Sequence, residues 1–236
     1  MLRRFFCSFS LVVLLAVASS FTYAQAQDPL MVVLPDLPVI PGASWQWVGR
    51  QMAIDGTPMS VKMFEYAGPE ADIEKFYVRL WKSSGHGQYK AKNWGREKLI
   101  GHELDGFYAS VQYHKEGMFV KGKIVVTEVG GNYRRASKTS IPKPRSARLI
   151  SKLDSIDAGK RAETVTFDSN KGVDFNMRYY ENQYENRGWA RILVRDPSQD
   201  VSIRHFQKGR ELIQVTVKRL TGSDKNRTHI VVHWIK

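Results

Sequence analysis

Residues 68–82 read Gly-Pro-Glu-Ala-Asp-Ile-Glu-Lys-Phe-Tyr-Val-Arg-Leu-Trp-Lys, and this stretch has the most regular pattern in the chain. Its large apolar side chains recur at intervals of three and four, so they share one face of an α-helix. They are Ile73, Phe76, Tyr77, Leu80 and Trp81. Pro69 suits the first helical position, where no N–H partner is needed. The pattern predicts an amphipathic helix that ends near Lys82, before Gly85.

A second stretch farther along the chain has a similar pattern. Val173, Met177, Tyr180 and Tyr184 share one face of a predicted helix over residues 173–187, and Gly188 follows it. Each predicted helix is preceded by strand-like residues and an Ile-Asp pair, at 54–55 and at 156–157, and each is followed by further strand-like segments. The common order of these elements indicates two copies of one unit.

The strand-like segments around the helices favour antiparallel hairpins, because turns such as Asp105-Gly106 connect them. We therefore expect an α+β fold with two tandem repeats, each a helix packed on an antiparallel β-sheet, joined by a basic linker. The expected organisation is a signal peptide at residues 1–26, a proline-rich extended arm at 27–43, repeat unit 1 at 44–129, the linker at 130–148 and repeat unit 2 at 149–236.

The N-terminus has the features of a secretory signal peptide. Arg3 and Arg4 precede an apolar run over residues 5–18, and residues 24–26 read Ala-Gln-Ala. An uncleaved membrane anchor is the alternative, but the run is shorter than the roughly 20 apolar residues of a membrane span. Cys7 lies inside this segment, so the mature chain has no cysteine. A periplasmic or secreted protein follows, and the lack of disulfides favours a Gram-negative periplasm.

The charge of the chain is strongly basic, with a formal net charge of +13. Without Arg3 and Arg4, 34 basic residues stand against 23 acidic ones, a net charge of +11. This excess favours anionic partners through long-range attraction. Six basic residues fall in the linker, which contains no acidic residue: Arg134, Arg135, Lys138, Lys143, Arg145 and Arg148. They are candidates for binding an anionic envelope surface, and the alternative is that they only keep the linker solvated.

The arm after the signal peptide contains four prolines within residues 28–43, which exclude a helix and a central strand. Its apolar content is too high for a solvated tail, so we expect it to pack on its own domain or to dock on a partner. The candidate docking residues are Leu34, Leu37, Val39 and Ile40.

The residues that could carry chemistry form no catalytic or metal-binding pattern. His229 and His233 lie on a predicted strand, where a separation of four residues places them roughly 13 Å apart, too far to share an ion. No metal site and no cofactor is therefore predicted. The carboxylates near His102 resemble an acid/base group, but we interpret them as surface charge on a strand and its turn.

Taken together, these features favour an exported, non-catalytic periplasmic binding or adaptor protein, such as an accessory of an envelope assembly or secretion system. Its partner would be another protein or an anionic envelope surface, and export disfavours nucleic acid. The alternative is a secreted enzyme of the hydrolase type, with a site of dispersed residues between the two units. A secreted effector or inhibitor is a third possibility.

The first prediction concerns the signal peptide. We expect the mature chain to begin near Gln27, because the small-x-small motif at residues 24–26 is a typical cleavage site. N-terminal sequencing of the exported protein measures this directly. A protein retained in the membrane with its first residues intact would contradict it.

Overall fold

The computed structural model describes residues 28–83, 89–130, 139–221 and 227–236. Within these ranges the chain forms a short 3₁₀ helix (Pro29–Met31), the α-helices α1 (Glu70–Ser83) and α2 (Val173–Glu185), and twelve strands. The strands are β1 (Ser44–Ile54), β2 (Thr57–Tyr66), β3 (Tyr89–Trp94), β4 (Glu97–Leu104), β5 (Phe107–Glu116), β6 (Phe119–Glu128), β7 (Ala147–Asp157), β8 (Lys160–Ser169), β9 (Ala190–Ser198), β10 (Val201–Lys208), β11 (Glu211–Arg219) and β12 (Thr228–Ile235).

All twelve strands belong to one antiparallel sheet in the order β3-β4-β5-β6-β2-β1-β7-β8-β12-β11-β10-β9. At its centre, residues 51–54 of β1 pair with residues 153–156 of β7. This pairing joins the two halves of the chain into a continuous sheet. The prediction of an α+β fold with an internal repeat, in which each of two units has a helix on its own sheet, is therefore wrong. The structure is predominantly β-sheet and carries α1 and α2 on it.

The physical reason for this difference is the backbone of β1 and β7. Either strand, left at the end of a separate sheet, would present a row of unpaired N–H and C=O groups. Asp55 extends the pairing: its N–H donates to the Lys152 carbonyl (2.8 Å) and its Oδ1 accepts from the Lys152 N–H (2.9 Å). Asp55 reaches this position because it lies in the turn after β1 with a φ of 50°. Local periodicity predicts single elements but does not show which distant strands pair.

The two helices begin at or within a residue of where the periodicity places them. In α1, Ile73, Tyr77 and Trp81 are buried, while Phe76 and Leu80 pack at the margin of the core. In α2, the buried side chains include Val173, Met177, Tyr180 and Tyr184. Each helix covers its own apolar cluster, with Phe64, Val111 and Ile124 under α1 and Phe167, Val215 and Ile230 under α2.

Both helices lie on the same face of the sheet. Residues directly opposite each other on paired strands project from the same face. Phe64, under α1, lies on the face of β2 that also carries Pro58, and Pro58 is opposite Ala53. Ala53 is opposite Asp154, and Asp154 is opposite Glu163. Glu163 is four residues from Phe167 on β8, so it projects from the same face as Phe167, which lies under α2. We call this side the helical face and the other side the open face. No helix in the described part of the chain is long and apolar enough to cross a membrane.

The second prediction tests the packing of α1. Ile73→Ala should reduce the free energy of unfolding by about 2–5 kcal/mol, because Ile73 is fully buried and its truncation leaves a cavity. Lys75→Ala, at an exposed position of the same helix, should be close to neutral. Denaturant unfolding of both variants measures the difference, and equal midpoints would contradict the packing.

Candidate functional site

The arm lies on the helical face and crosses the junction between β1 and β7. At its start, Asp28 forms an ion pair with Arg161 of β8, and Gln51 of β1 donates from its side chain to the Leu30 carbonyl (3.3 Å). Farther along, the Tyr77 hydroxyl of α1 donates to the Pro38 carbonyl (3.1 Å). The arm thus connects β8, β1 and α1.

The proposed docking residues of the arm contact this chain's own core. Leu37 and Ile40 are buried in the cluster under α1, and Leu34 and Val39 pack against it. Met31 and Val33, in contrast, project into solvent, and Val33 is 88 % exposed. The arm therefore contributes both a packed side and an exposed apolar side.

A buried lysine forms the centre of the site. The Lys62 Nζ donates to the Asp36 carboxylate and to the Leu37 carbonyl (2.8 Å), both in the arm. It also lies 4.7 Å from the ring centroid of Trp45 and 4.6 Å from that of Trp47. The two indole rings meet edge to face, with centroids 6.1 Å apart and an angle of 85°. The ammonium is therefore compensated by a carboxylate, a carbonyl and two π faces.

The strand register explains this arrangement, which we call the tryptophan site (Asp36, Trp45, Trp47 and Lys62). Trp47 lies opposite Lys62, and Trp45 lies opposite Phe64, so all four side chains of β1 and β2 project from the helical face. The alternating sequence of β2, residues 59–64, predicts a strand with one buried face. The buried face is the one with Lys62 and Phe64, whereas Met63 on the open face is 50 % exposed.

Two cavities flank the contact between Lys62 and Asp36. One has a volume of about 370 Å³ and is lined by Trp45, Lys62, Asp36 and arm residues 38–43. The other has a volume of about 310 Å³ and is lined by Trp47, Arg50, Gln51, Ser60 and arm residues 31–36. The Trp45 side chain is half exposed, at 50 %. The guanidinium carbon of Arg50 lies 5.7 Å from the Trp47 ring.

The polar groups around the cavities are largely engaged within the chain. Asp36 is held by Lys62, and the Gln51 amide donates to the arm. Burial alone would raise the pKa of the Asp28 carboxyl, but hydrogen bonds from Arg161 and the Leu30 N–H outweigh it and lower the pKa below its usual range. The site therefore offers aromatic and apolar surface with a cationic margin at Arg50.

Only three of the six candidate anion-binding residues of the linker belong to the described part of the chain. Arg134, Arg135 and Lys138 lie outside the described residues. Lys143 donates to the Ala147 carbonyl (2.8 Å), which fixes the chain just before β7. Arg145 and Arg148 are exposed, and Arg148 belongs to β7.

A partly buried ion cluster lies on β7 and β8, beside the junction where a hydrolase of dispersed residues would have its site. The Lys152 Nζ is 3.0 Å from Asp154 and 3.9 Å from Glu163. Glu163 also lies 3.0 Å from the Lys236 Nζ and accepts a hydrogen bond from the Thr139 hydroxyl. Two carboxylates thus face two ammonium groups, an arrangement that holds β7, β8 and the C-terminus together.

The described histidines do not form one common site. His229 lies 2.8 Å from Asp168, His233 lies 2.8 Å from the Thr164 hydroxyl, and burial lowers the pKa of His233. His102 is buried and stacks on Trp81, with centroids 5.2 Å apart, so it is a core residue. Among the described residues, no group of three or more His, Cys, Asp or Glu side chains is arranged to hold a metal ion.

The chain matches no protein-family model, no curated protein and no solved structure. The geometry of the tryptophan site is therefore the main guide to its function. Sequence reasoning missed this site because its acidic member, Asp36, comes from the arm and its lysine from a strand. The one local signal is the alternation of Trp45 and Trp47, which places both rings on one face.

The third prediction tests the contact between Lys62 and Asp36. Asp36→Ala should lower the free energy of unfolding by about 1–3 kcal/mol, because the buried ammonium loses its carboxylate. Asp28→Ala is the matched control in the same arm. Asp28 and Arg161 are both substantially exposed, so its loss should cost about 0–1 kcal/mol. Equal melting temperatures for the two variants would contradict the role of Lys62.

Proposed function

We propose that this chain is an exported, non-catalytic adaptor that binds a protein partner through the tryptophan site and serves an envelope assembly or secretion system. The observation that carries the proposal is the half-exposed ring of Trp45, which lines one cavity next to a second lined by Trp47 and Arg50. Tryptophan, methionine and arginine are enriched at protein interfaces, and tryptophan and arginine dominate their binding energy.

The site is held in place before any partner binds. Trp45 and Trp47 belong to a paired strand, and the Lys62 ammonium contacts both rings. An aromatic side chain fixed in this way loses little conformational freedom on binding. This rigidity supports a role as an anchor for a partner's side chains.

The surroundings of the anchor favour a protein over a small polar ligand. Met31 and Val33 of the arm are exposed apolar side chains that line the cavity beside Trp47 and Arg50. The polar side chains Asp36 and Gln51 are engaged within the chain, so recognition would depend mainly on shape and apolar contact. Protein interfaces have this character, with a desolvated apolar centre and a polar rim. The proposal that the chain is exported is supported by the pattern of residues 3–26.

The fourth prediction tests this function. The mature protein, immobilised and exposed to an envelope extract of the cells that produce it, should retain a specific protein. Trp45→Ala and Arg50→Ala should each remove that protein from the captured set. With the purified partner, Trp45→Ala should weaken binding by about 2 kcal/mol or more, as truncation of an interface hot spot does.

Phe175→Ala is the matched control. Phe175 is an aromatic residue on α2 with the same exposed fraction as Trp45, 50 %. Its truncation should leave capture unchanged. If Trp45→Ala and Phe175→Ala retain the same proteins with the same affinity, the tryptophan site is not the binding surface.

A further inference from the structure

We infer that the partner contributes an extended segment, which pairs as an added strand with the open edge of β1 at residues 44–47. This inference rests on the proposed function and specifies how the partner binds. It follows from the pairing of β1, from the charges along the other edges and from the position of the two cavities.

The first observation is that β1 is only partly paired. It pairs with β7 through residues 51–54, and in the described part of the chain no strand pairs with residues 44–50 on that side. Register shifts lie between Trp47 and Gly49 and between Gly49 and Met52. Residues 44–47 come before these bulges and keep a regular register with β2. A regular open edge of four residues is therefore available.

The direction of the backbone groups follows from the hairpin between β1 and β2. Across its two-residue turn, Ile54 and Thr57 form a hydrogen-bonded pair. Hydrogen-bonded and non-hydrogen-bonded pairs alternate along an antiparallel ladder, so the backbone groups of odd-numbered β2 residues point to β1. Ser44 and Gln46 lie opposite odd-numbered residues of β2 and bond to that strand. The N–H and C=O groups of Trp45 and Trp47 consequently point to the open side. They are the groups that an added strand would engage.

The second observation is that this edge lacks the usual protection. Exposed strand edges commonly carry charged residues or proline, which prevent pairing with another chain. The outer edge strand β3 has Lys90 and Lys92, and the outer edge strand β9 has Arg191, Arg195 and Pro197. Residues 44–47 of β1 read Ser-Trp-Gln-Trp and have no charge. An uncharged open edge in a sheet whose two outer edge strands carry charges is suited to accept a strand.

The third observation concerns the spacing of the two cavities. Trp45 lines one and Trp47 lines the other, so the cavities follow the strand at an interval of two residues. Alternate side chains of an added strand project from the same face at the same interval. Residues i and i+2 of the partner segment would therefore face the two cavities. In recognition by strand addition, main-chain hydrogen bonds supply affinity and such pockets supply specificity.

The chemistry of the partner segment follows from these contacts. Toward the helical face it would present apolar or aromatic side chains, because Trp45, Trp47 and arm residues 38–43 line the cavities. Toward the open face it would present small or polar side chains beside Ser44 and Gln46. The expected partner is thus an extended segment with alternating apolar and polar residues.

The fifth prediction uses random octapeptides displayed on phage as the probe, followed by synthesis of the selected peptides. Selection on the mature protein should yield alternating apolar and polar sequences. Trp45→Ala removes the ring but keeps the backbone N–H, whereas Trp45→Pro removes both. Proline is tolerated at an edge position whose N–H faces solvent. Trp45→Pro should bind the peptides about tenfold more weakly than Trp45→Ala, the effect of losing one main-chain hydrogen bond.

Hydrogen exchange of the unmodified protein tests the same point without a substitution. In the free protein, the Trp45 and Trp47 amides should exchange rapidly, and bound peptide should protect them. The Gln46 amide, which bonds to β2, should be protected in both states and is the internal control.

The outcomes separate this inference from the proposed function. Protection of both tryptophan amides, with a weaker Trp45→Pro variant, supports the added strand. If peptide or partner binding depends on the Trp45 ring but the amides stay unprotected and the two variants bind equally, the added strand is wrong and the adaptor function stands. If no octapeptide binds the unmodified protein better than it binds Trp45→Pro, the added strand is also wrong. Binding that ignores Trp45→Ala and Arg50→Ala overturns the adaptor function itself.

Discussion

The pairing of β1 with β7 is the contact on which the rest of the architecture depends. It consists of four residue pairs, between residues 51–54 and residues 153–156, and Asp55 adds two hydrogen bonds to Lys152. Each half of the chain has its own helix and its own apolar cluster. The short β1–β7 ladder joins the two halves into one sheet, and Ala53 within it is fully buried. Because paired residues share a face, the ladder also fixes α1 and α2 on the same side and leaves the space between them for the arm.

The arm strengthens this junction from the helical face. Its start is held at β8 by Arg161, and its later part is held at β2 by Lys62 and at α1 by Tyr77. A buried ammonium loses the solvation of water, and only close compensation makes its burial acceptable. Asp36 supplies the carboxylate, while Trp45 and Trp47 supply the π faces. The arm and the two rings therefore order one another, and the rigidity of the binding surface depends on the arm.

Sequence patterns predict local elements well in this chain, because a helix such as α1 is encoded by apolar residues within a few turns. They do not predict the junction, because the paired residues Ile54 and Leu153 are far apart in the sequence. Any strand with a suitable alternation of apolar and polar residues could pair with β1 equally well. The similar order of elements in the two halves is compatible with two sheets or with one, and only the edge pairing decides between them. The burial of Lys62 cannot be predicted from the sequence for a related reason. Lysine is rarely buried unless paired, and its partner Asp36 belongs to a segment whose prolines show only that it is extended.

The short junction and the open edge of β1 have one geometric origin. The β1–β2 hairpin turns at residues 55–56, and the β7–β8 hairpin turns at residues 158–159, where Ala158 has a φ of 46° and Gly159 a φ of 77°. The two hairpins lie antiparallel with their turns at opposite ends, so they overlap over only a few residues. Each therefore extends beyond the other and leaves part of a strand unpaired. On β7 the first residue past the overlap is bonded by Asp55, and the exposed Arg148 lies farther along. On β1 the corresponding stretch is residues 44–50, in which Arg50 lies next to the overlap and residues 44–47 carry no charge. The offset that limits the junction thus also creates the surface beside the cavities.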